Sequence, residues 1–248
     1  RLVTVAGDYT DSISIAERIS AAEGFVAEGG ARNVARRDGM GTVVLESATK
    51  MKTLPQHYFQ AVGSGTGGIA AWEASARLIN DGRFGTRLPH LHLAQNLPFV
   101  PMVKAWEDGR RNITEKDIEN AEETIPSVFA DVLTNRNPPY GIVGGLYDAM
   151  TACGGSMYGV SNKEAHDAEK LWKNYENAIP DPAASVALAA LVQAIDAGKI
   201  EKDDRILLNM TGGGRDRVTE DIDLETIRPF ASVEKDIDDD ELMGILNE

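Results

Sequence analysis

Apolar residues recur with two different periods along this chain of 248 residues. LVTVA (residues 2–6), YFQAV (58–62), LPHLHLAQ (88–95) and RILLNM (205–210) are short, near-continuous apolar runs and predict buried strands. ISIAERISAAEG (13–24), IAAWEASARLIND (69–81), SNKEAHDAEKLWKNYEN (161–177) and PDPAASVALAALVQAIDAG (180–198) instead carry apolar residues at helical spacing. GDYTDS supplies a turn and a cap before the first helix, Gly82 stops the second, Ser161 caps the third and Gly198 ends the last. TVVLESATK (42–50) reads as helix, after a glycine- and arginine-rich loop, FVAEGGARNVARRDGMG (25–41). ITEKDIENAEETIPSVFADVLT (113–134) reads as one or two helices, and the glycine- and proline-rich stretch 135–160 as a long loop suited to function. Strands alternating with helices predict an α/β fold with a mainly parallel sheet flanked by helices.

Composition narrows the functions open to such a fold. A 42% hydrophobic content suffices for a sizeable core. No apolar run is long enough to span a bilayer and no apolar leader is visible, so the expected location is the cytoplasm. The net charge of −14 argues against a nucleic-acid surface, and the acidic run EKDIDDDE reads as solvated. Cys153 is the only cysteine, which excludes an internal disulfide and any multi-cysteine metal site and suits a buried small hydrophobe. His57, His90, His92 and His166 lack carboxylates or cysteines at ligand spacing, so no metal is expected.

Two strand exits carry the candidate chemistry. Gly63-Ser64-Gly65-Thr66-Gly67-Gly68 joins a strand to a helix, where unpaired N–H groups face an anion, glycines let it approach and two hydroxyls add donors: a phosphate cup. Gly63-x-Gly65-x-x-Gly68 satisfies the dinucleotide fingerprint, but the next strand ends in Gln95 and Asn96 rather than in the acid that would hold a ribose. Thr211-Gly212-Gly213-Gly214 leaves the second strand. In a parallel sheet both exits open at the carboxyl edge, where a ligand with a phosphate at one end and a polar ring atom at the other can be gripped at both ends.

The order of motifs resembles threonine synthase and its relatives among the fold-type II (tryptophan synthase β-like) pyridoxal phosphate enzymes. GDYTDSISIAERI resembles the segment after the family's small-domain strand, and ARRDGMGTVVLE its Asn-Pro-x-Arg-x-Glu-Gly loop and following helix. VGSGTGG resembles its cofactor phosphate loop, AIPDPAASVALAAL its Glu-Pro-Ala-Ser-Ala helix, and LLNMTGGGRDR its Thr-Gly-His-Gly-x-Lys-Asp exit. The resemblance implies that Gly63, Ser64, Gly65, Thr66, Gly67 and Gly68 hold the phosphate of pyridoxal 5'-phosphate and that Thr211 meets the pyridine nitrogen. A neutral hydroxyl there favours elimination at Cβ over transamination. EGGARNVARRDGMGT together with VGSGTGGIAAWE is most similar to the branch of that family that makes L-cysteate from O-phosphoserine and sulfite for coenzyme M. Gly213 replaces the family's usual histidine, and Gly41 stands near its usual lysine, differences expected to alter the pocket. Reaction on O-phosphohomoserine, as in threonine synthase itself, and a non-catalytic module that kept the fold are the alternatives.

Arg32, Arg36 and Arg37 cluster in the glycine-rich loop and suit either substrate phosphate, carboxylate and sulfite or plain solvation. None of the chain's lysines, such as Lys50 or Lys104, matches the family's Schiff-base lysine, so no catalytic residue is assigned within the chain. The resemblance therefore implies an incomplete chain whose N-terminal part carries that lysine. Residues 1–39 are expected to complete a small domain and 40–248 to supply most of the large cofactor domain. Homo-oligomers are common in the family.

Overall fold

In the computed structural model, which describes residues 1–22, 24–223 and 225–247, every named strand pair is parallel. In chain order the elements are β1 (Val3–Ala6), α1 (Tyr9–Ser20), α2 (Val34–Met51), β2 (His57–Ala61), α3 (Thr66–Asp81), β3 (His90–Asn96), α4 (Pro101–Glu107), α5 (Ala121–Thr124), α6 (Leu146–Ala152), β4 (Ser156–Val160), α7 (Asn162–Glu176), α8 (Pro182–Asp196), β5 (Ile206–Leu208), α9 (Arg215–Asp221), β6 (Ala231–Glu234) and α10 (Asp239–Asn247). The helix expected to reach Gly24 ends at Ser20, and Glu23 lies outside the described residues.

Two compact units make up the chain: one is 1–29 with 217–248, the other 30–216. In the first, β1 pairs with β6, and Ile15, Val233 and Leu242 form a small core. Asp8 and Asp11 cap α1 reciprocally. The acidic run does structural work here: Asp238 Oδ1 accepts the Glu241 N–H at 2.9 Å and Asp239 pairs with Arg18 at 2.7 Å, placing negative charge at the positive end of α10.

The second unit is built on a sheet of order β4-β3-β2-β5. Alternation splits its side chains between two cores. Tyr58, Leu91 and Leu93 join Val44, Ile69, Met102 and Leu146 from α2, α3, α4 and α6. Phe59, Ala61, Ala94 and Val160 meet Ala165, Val186 and Ala190 from α7 and α8. The alanines of α8 let that helix lie close on the sheet. Gly41 is a packing glycine: a Cβ there would stand 3.3 Å from Ala74 Cβ of α3, so its smallness serves the approach of α2 to α3.

Three stretches differ from expectation. The long loop 135–160 contains α6 and the strand β4. Residues 113–134 break into short turns because side chains intercept the backbone: Asp117 takes the Thr114 N–H at 2.7 Å, Asn96 takes the Ala130 N–H at 2.9 Å and Asn162 the Phe129 N–H at 3.1 Å. The arginine-rich loop turns helical at Val34, where Asn33 Oδ1 accepts the Arg36 N–H at 3.2 Å.

One sheet face carries a part-buried polar chain. His57 Nδ1 lies 2.9 Å from His92 Nε2, His57 Nε2 lies 3.2 Å from Asp204, and His92 Nδ1 lies 2.7 Å from the Tyr158 hydroxyl. His90 and His92 share this face, as their spacing predicts, with ring centroids 4.3 Å apart. Among the described residues no group of His, Cys, Asp and Glu is arranged to hold a metal ion, and no helix is long and apolar enough to cross a membrane. Burial, reinforced by His90, His57 and Lys199, pushes the His92 pKa down to about 3. The unfolded ring titrates at about 6.5, so as pH falls below that value the unfolded state takes up a proton that the fold refuses. Stability is therefore expected to fall on acidification by up to about 1.4 kcal/mol per pH unit for this one group. Urea midpoints at about pH 7.5 and about pH 5 check this: the drop should shrink in His92→Phe, and an equal drop would refute the assignment.

Candidate active site

The β2–α3 junction is shaped from below by a polar triad. Asn209, one residue past β5, donates from Nδ2 to the Tyr58 hydroxyl at 2.9 Å, and that hydroxyl donates to Gln60 Oε1 at 2.7 Å. Tyr58 is buried among apolar neighbours, which drives its pKa up and keeps it a neutral donor. The Gln60 amide fills the space beneath Gly67, where a Cβ would overlap it. Gly68 is confined by Leu93 and Leu146, with 2.8 and 2.9 Å between a Cβ and their nearest methyls, and Gly65 adopts φ +80° at the N-cap of α3. None of the triad was named from the sequence; its signal was a lone polar residue, Gln60, inside the apolar run HYFQA.

Above this floor the loop leaves N–H donors without backbone acceptors. The first bond into α3 runs from the Ile69 N–H to the Gly65 carbonyl at 3.2 Å, and among the described residues Gly63, Gly65, Gly67 and Gly68 have no backbone acceptor for their N–H groups. Ser64 and Thr66 hydroxyls lie 2.8 Å apart at the same turn. Uncapped N–H groups, two hydroxyls and the positive end of a 16-residue helix make a donor set that fits a phosphate monoester. Residues 131–133 pack beside it: a Cβ on Gly63 would come 3.1 Å from the Val132 carbonyl. Asn96 and Asn162 hold the chain leading into that wall.

β5 is the neighbour of β2 in the sheet, with Phe59 opposite Leu208 and the Asn209 N–H on the Phe59 carbonyl at 2.9 Å. Gly63 and Thr211 therefore leave the same carboxyl edge on adjacent strands, and Thr211 is exposed there. Gln95, where a ribose-binding acid was absent, has another use: its Oε1 accepts the Met102 and Val103 N–H groups at 2.8 and 3.3 Å and caps α4.

The three arginines of the expected cluster differ in burial. Arg37 is committed, its Nε on Glu73 at 2.9 Å and its Nη1 on the Ala31 carbonyl at 2.6 Å, tying α2 to α3. Arg32, in the short turn Gly30–Arg32, and Arg36, in the first turn of α2, are exposed. Lys50 bonds Glu46 on the surface of α2, and Lys104 reaches the Asp117 carbonyl at 3.4 Å. Cys153 is buried, which pushes its thiol up to about 12 and leaves it inert at neutral pH.

A parallel sheet with a glycine-rich loop opening a helix and a threonine at the neighbouring strand exit is an arrangement suited to a phosphate-bearing cofactor. Residues 1–212 match the model of the pyridoxal-phosphate dependent enzyme family, and the chain belongs to that family, with the fold-type II architecture and pyridoxal phosphate as its cofactor. Among curated proteins it is 57% identical over 235 residues to the cysteate synthase of Methanocorpusculum labreanum, covering 94% of this chain and 57% of that protein. It is 55% identical over 232 residues to the cysteate synthase of Methanosarcina acetivorans, covering 93% of this chain and 56% of the relative. The chain thus spans little more than half the length of these relatives. Among solved structures, the processed form of threonine deaminase isoform 2 from Solanum lycopersicum superposes with a TM-score of 0.54 at 17% identity, over 72% of this chain and 46% of that one, a likeness of fold.

Proposed function

We propose that the complete protein catalyses a β-replacement in which O-phospho-L-serine and sulfite give L-cysteate and phosphate. The observation that carries this reading is the 57% identity to a protein of that name across nearly the whole of this chain, phosphate cup included. The Cβ–O bond of the substrate breaks and phosphate departs; sulfite sulfur forms the new Cβ–S bond; the proton taken from Cα is returned to it. Bound pyridoxal phosphate supplies the electron sink for the charge at Cα.

This chain's residues bind and orient. The N–H groups of Gly63, Gly65, Gly67 and Gly68 and the hydroxyls of Ser64 and Thr66 hold the cofactor phosphate. Thr211 meets the ring nitrogen with a neutral hydroxyl, which leaves the ring less electron-withdrawing than a carboxylate partner would. Arg32 and Arg36 are assigned to drawing in the anionic substrates, while Arg37 supports the loop through Glu73. The base, a Schiff-base lysine, is assigned to a part of the protein outside this chain.

Supplying the complete protein with O-phosphoserine or O-phosphohomoserine, with and without sulfite, and identifying products by mass tests the reading. Cysteate that requires both O-phosphoserine and sulfite is expected. The two substrates differ by one methylene, which a pocket separates by only about 1–3 kcal/mol, so slow turnover of the longer one is compatible. Threonine from O-phosphohomoserine with no sulfonate product would overturn it.

A further inference from the structure

Asp181 stands at the N-cap of α8, where a carboxylate ordinarily accepts N–H groups from the first helical turn, yet it makes no such bond. Its Oδ2 instead accepts from Arg215 Nε at 3.2 Å and Nη2 at 2.8 Å, across to the segment that leaves β5. The same two stretches are joined through their backbones. The Asp181 N–H donates to the Gly212 carbonyl at 3.0 Å, the Gly214 N–H to the Ile179 carbonyl at 2.7 Å, and Pro180 bridges antiparallel to Gly213. The approach is so close that only glycine fits: a Cβ on Gly212 would overlap the Asp181 carboxylate, and one on Gly213 would stand 2.9 Å from the Ile179 carbonyl. Gly214 has φ +72°, open to glycine without strain.

A helix cap and a solvated ion pair each stabilise a fold by about 1 kcal/mol or less, so trading one for the other brings no gain in stability. What the trade does is fix the path of the chain on the far side of Thr211, while Asn209 fixes the near side through Phe59 and Tyr58. We propose that Asp181 and Arg215 are positioning residues that clasp the β5 exit and hold the Thr211 hydroxyl toward the cofactor ring. This rests on the assignment of Thr211 to the ring nitrogen.

The test compares wild type, Thr211→Val, Arg215→Ala, Arg215→Lys, Asp181→Asn and the double variant Thr211→Val/Arg215→Ala in the complete protein. Cofactor affinity, the visible absorption of the bound cofactor and the melting temperature without cofactor are read for each. Arg215→Ala and Asp181→Asn are expected to weaken cofactor binding by up to about fivefold and to move the absorption as Thr211→Val does. Arg215→Lys should recover part of both, melting should barely change, and the double variant should bind no more weakly than Thr211→Val alone. Losses that add in the double variant, or wild-type spectra in both clasp variants while Thr211→Val is impaired, would overturn the clasp and leave the Thr211 assignment standing. Wild-type affinity and spectrum in Thr211→Val would remove that assignment, and the clasp with it.

Discussion

Gly67→Ala is expected to lower both stability and cofactor affinity, although it adds a better helix former to the first turn of α3. The exchange alone favours alanine by about 1 kcal/mol. Against it, the new methyl would overlap the Gln60 amide, which is buried and bonded to Tyr58, itself bonded to Asn209. Relief requires moving the triad or lifting the helix start, and overpacking of this kind costs about 1–3 kcal/mol. The melting temperature should drop by roughly 5 °C, and cofactor binding by about tenfold or more as the N–H groups turn away. A Gly67→Ala protein with raised stability and unchanged affinity would show that Gln60 has room to swing aside and that the loop is less tightly specified than described. Gly82→Ala is the control, since its φ of +81° strains an alanine but no atom lies within 4 Å of the added methyl; it should destabilise without touching affinity.

Removal of the two hydroxyls, Ser64→Ala with Thr66→Val, is expected to give the second large effect. Hydrogen bonds to a charged group contribute about 1.5–3 kcal/mol each, so cofactor affinity should fall roughly tenfold or more when one hydroxyl is removed and further for the pair. The two side chains bond each other at 2.8 Å, so the single variants should not add simply. Equilibrium dialysis of the three variants reads this directly. Affinity within about twofold of wild type for the double variant would mean that the backbone N–H groups alone hold the anion, or that the anion sits elsewhere.

The parts of the structure legible in the sequence were those written in local pattern: β2, β3 and β5, the helices α3, α7 and α8 with their caps, and the glycine loop between β2 and α3. What escaped was written in contacts between distant residues. β4 hid in a glycine-rich stretch because Gly155 is demanded by Met150 of α6, whose side chain would stand 2.6 Å from a Cβ there, and not by a turn. β6 pairs with a strand at the other end of the chain, as the Thr4–Ser232 hydroxyl contact 228 positions apart shows, and no local period announces that. Residues 113–134 carry a helical pattern that the amides of Asn96 and Asn162 override. The tie of Arg37 to Glu73 of α3, 36 positions away, is likewise invisible in local pattern. The candidate site divides in the same way. Its glycines and hydroxyls could be named from the turn, whereas the Asn209–Tyr58–Gln60 floor and the Asp181–Arg215 pair exist only once the strands are side by side.

The assignment of the Gly63–Gly68 loop to the cofactor phosphate is the claim on which the others depend, and the phosphorus resonance of the bound cofactor tests it most directly. The dianion of a free phosphate monoester takes up a proton near pH 6. Held by the N-terminus of α3 and the Ser64 and Thr66 hydroxyls, the dianion should persist well below that value. Phosphorus NMR of the loaded complete protein should therefore show a resonance whose position does not change from about pH 8 to about pH 5.5, and pH dependence should return in the Ser64→Ala/Thr66→Val variant. A bound resonance that titrates like the free monoester in the wild-type protein, unaffected by the two substitutions, would contradict the account.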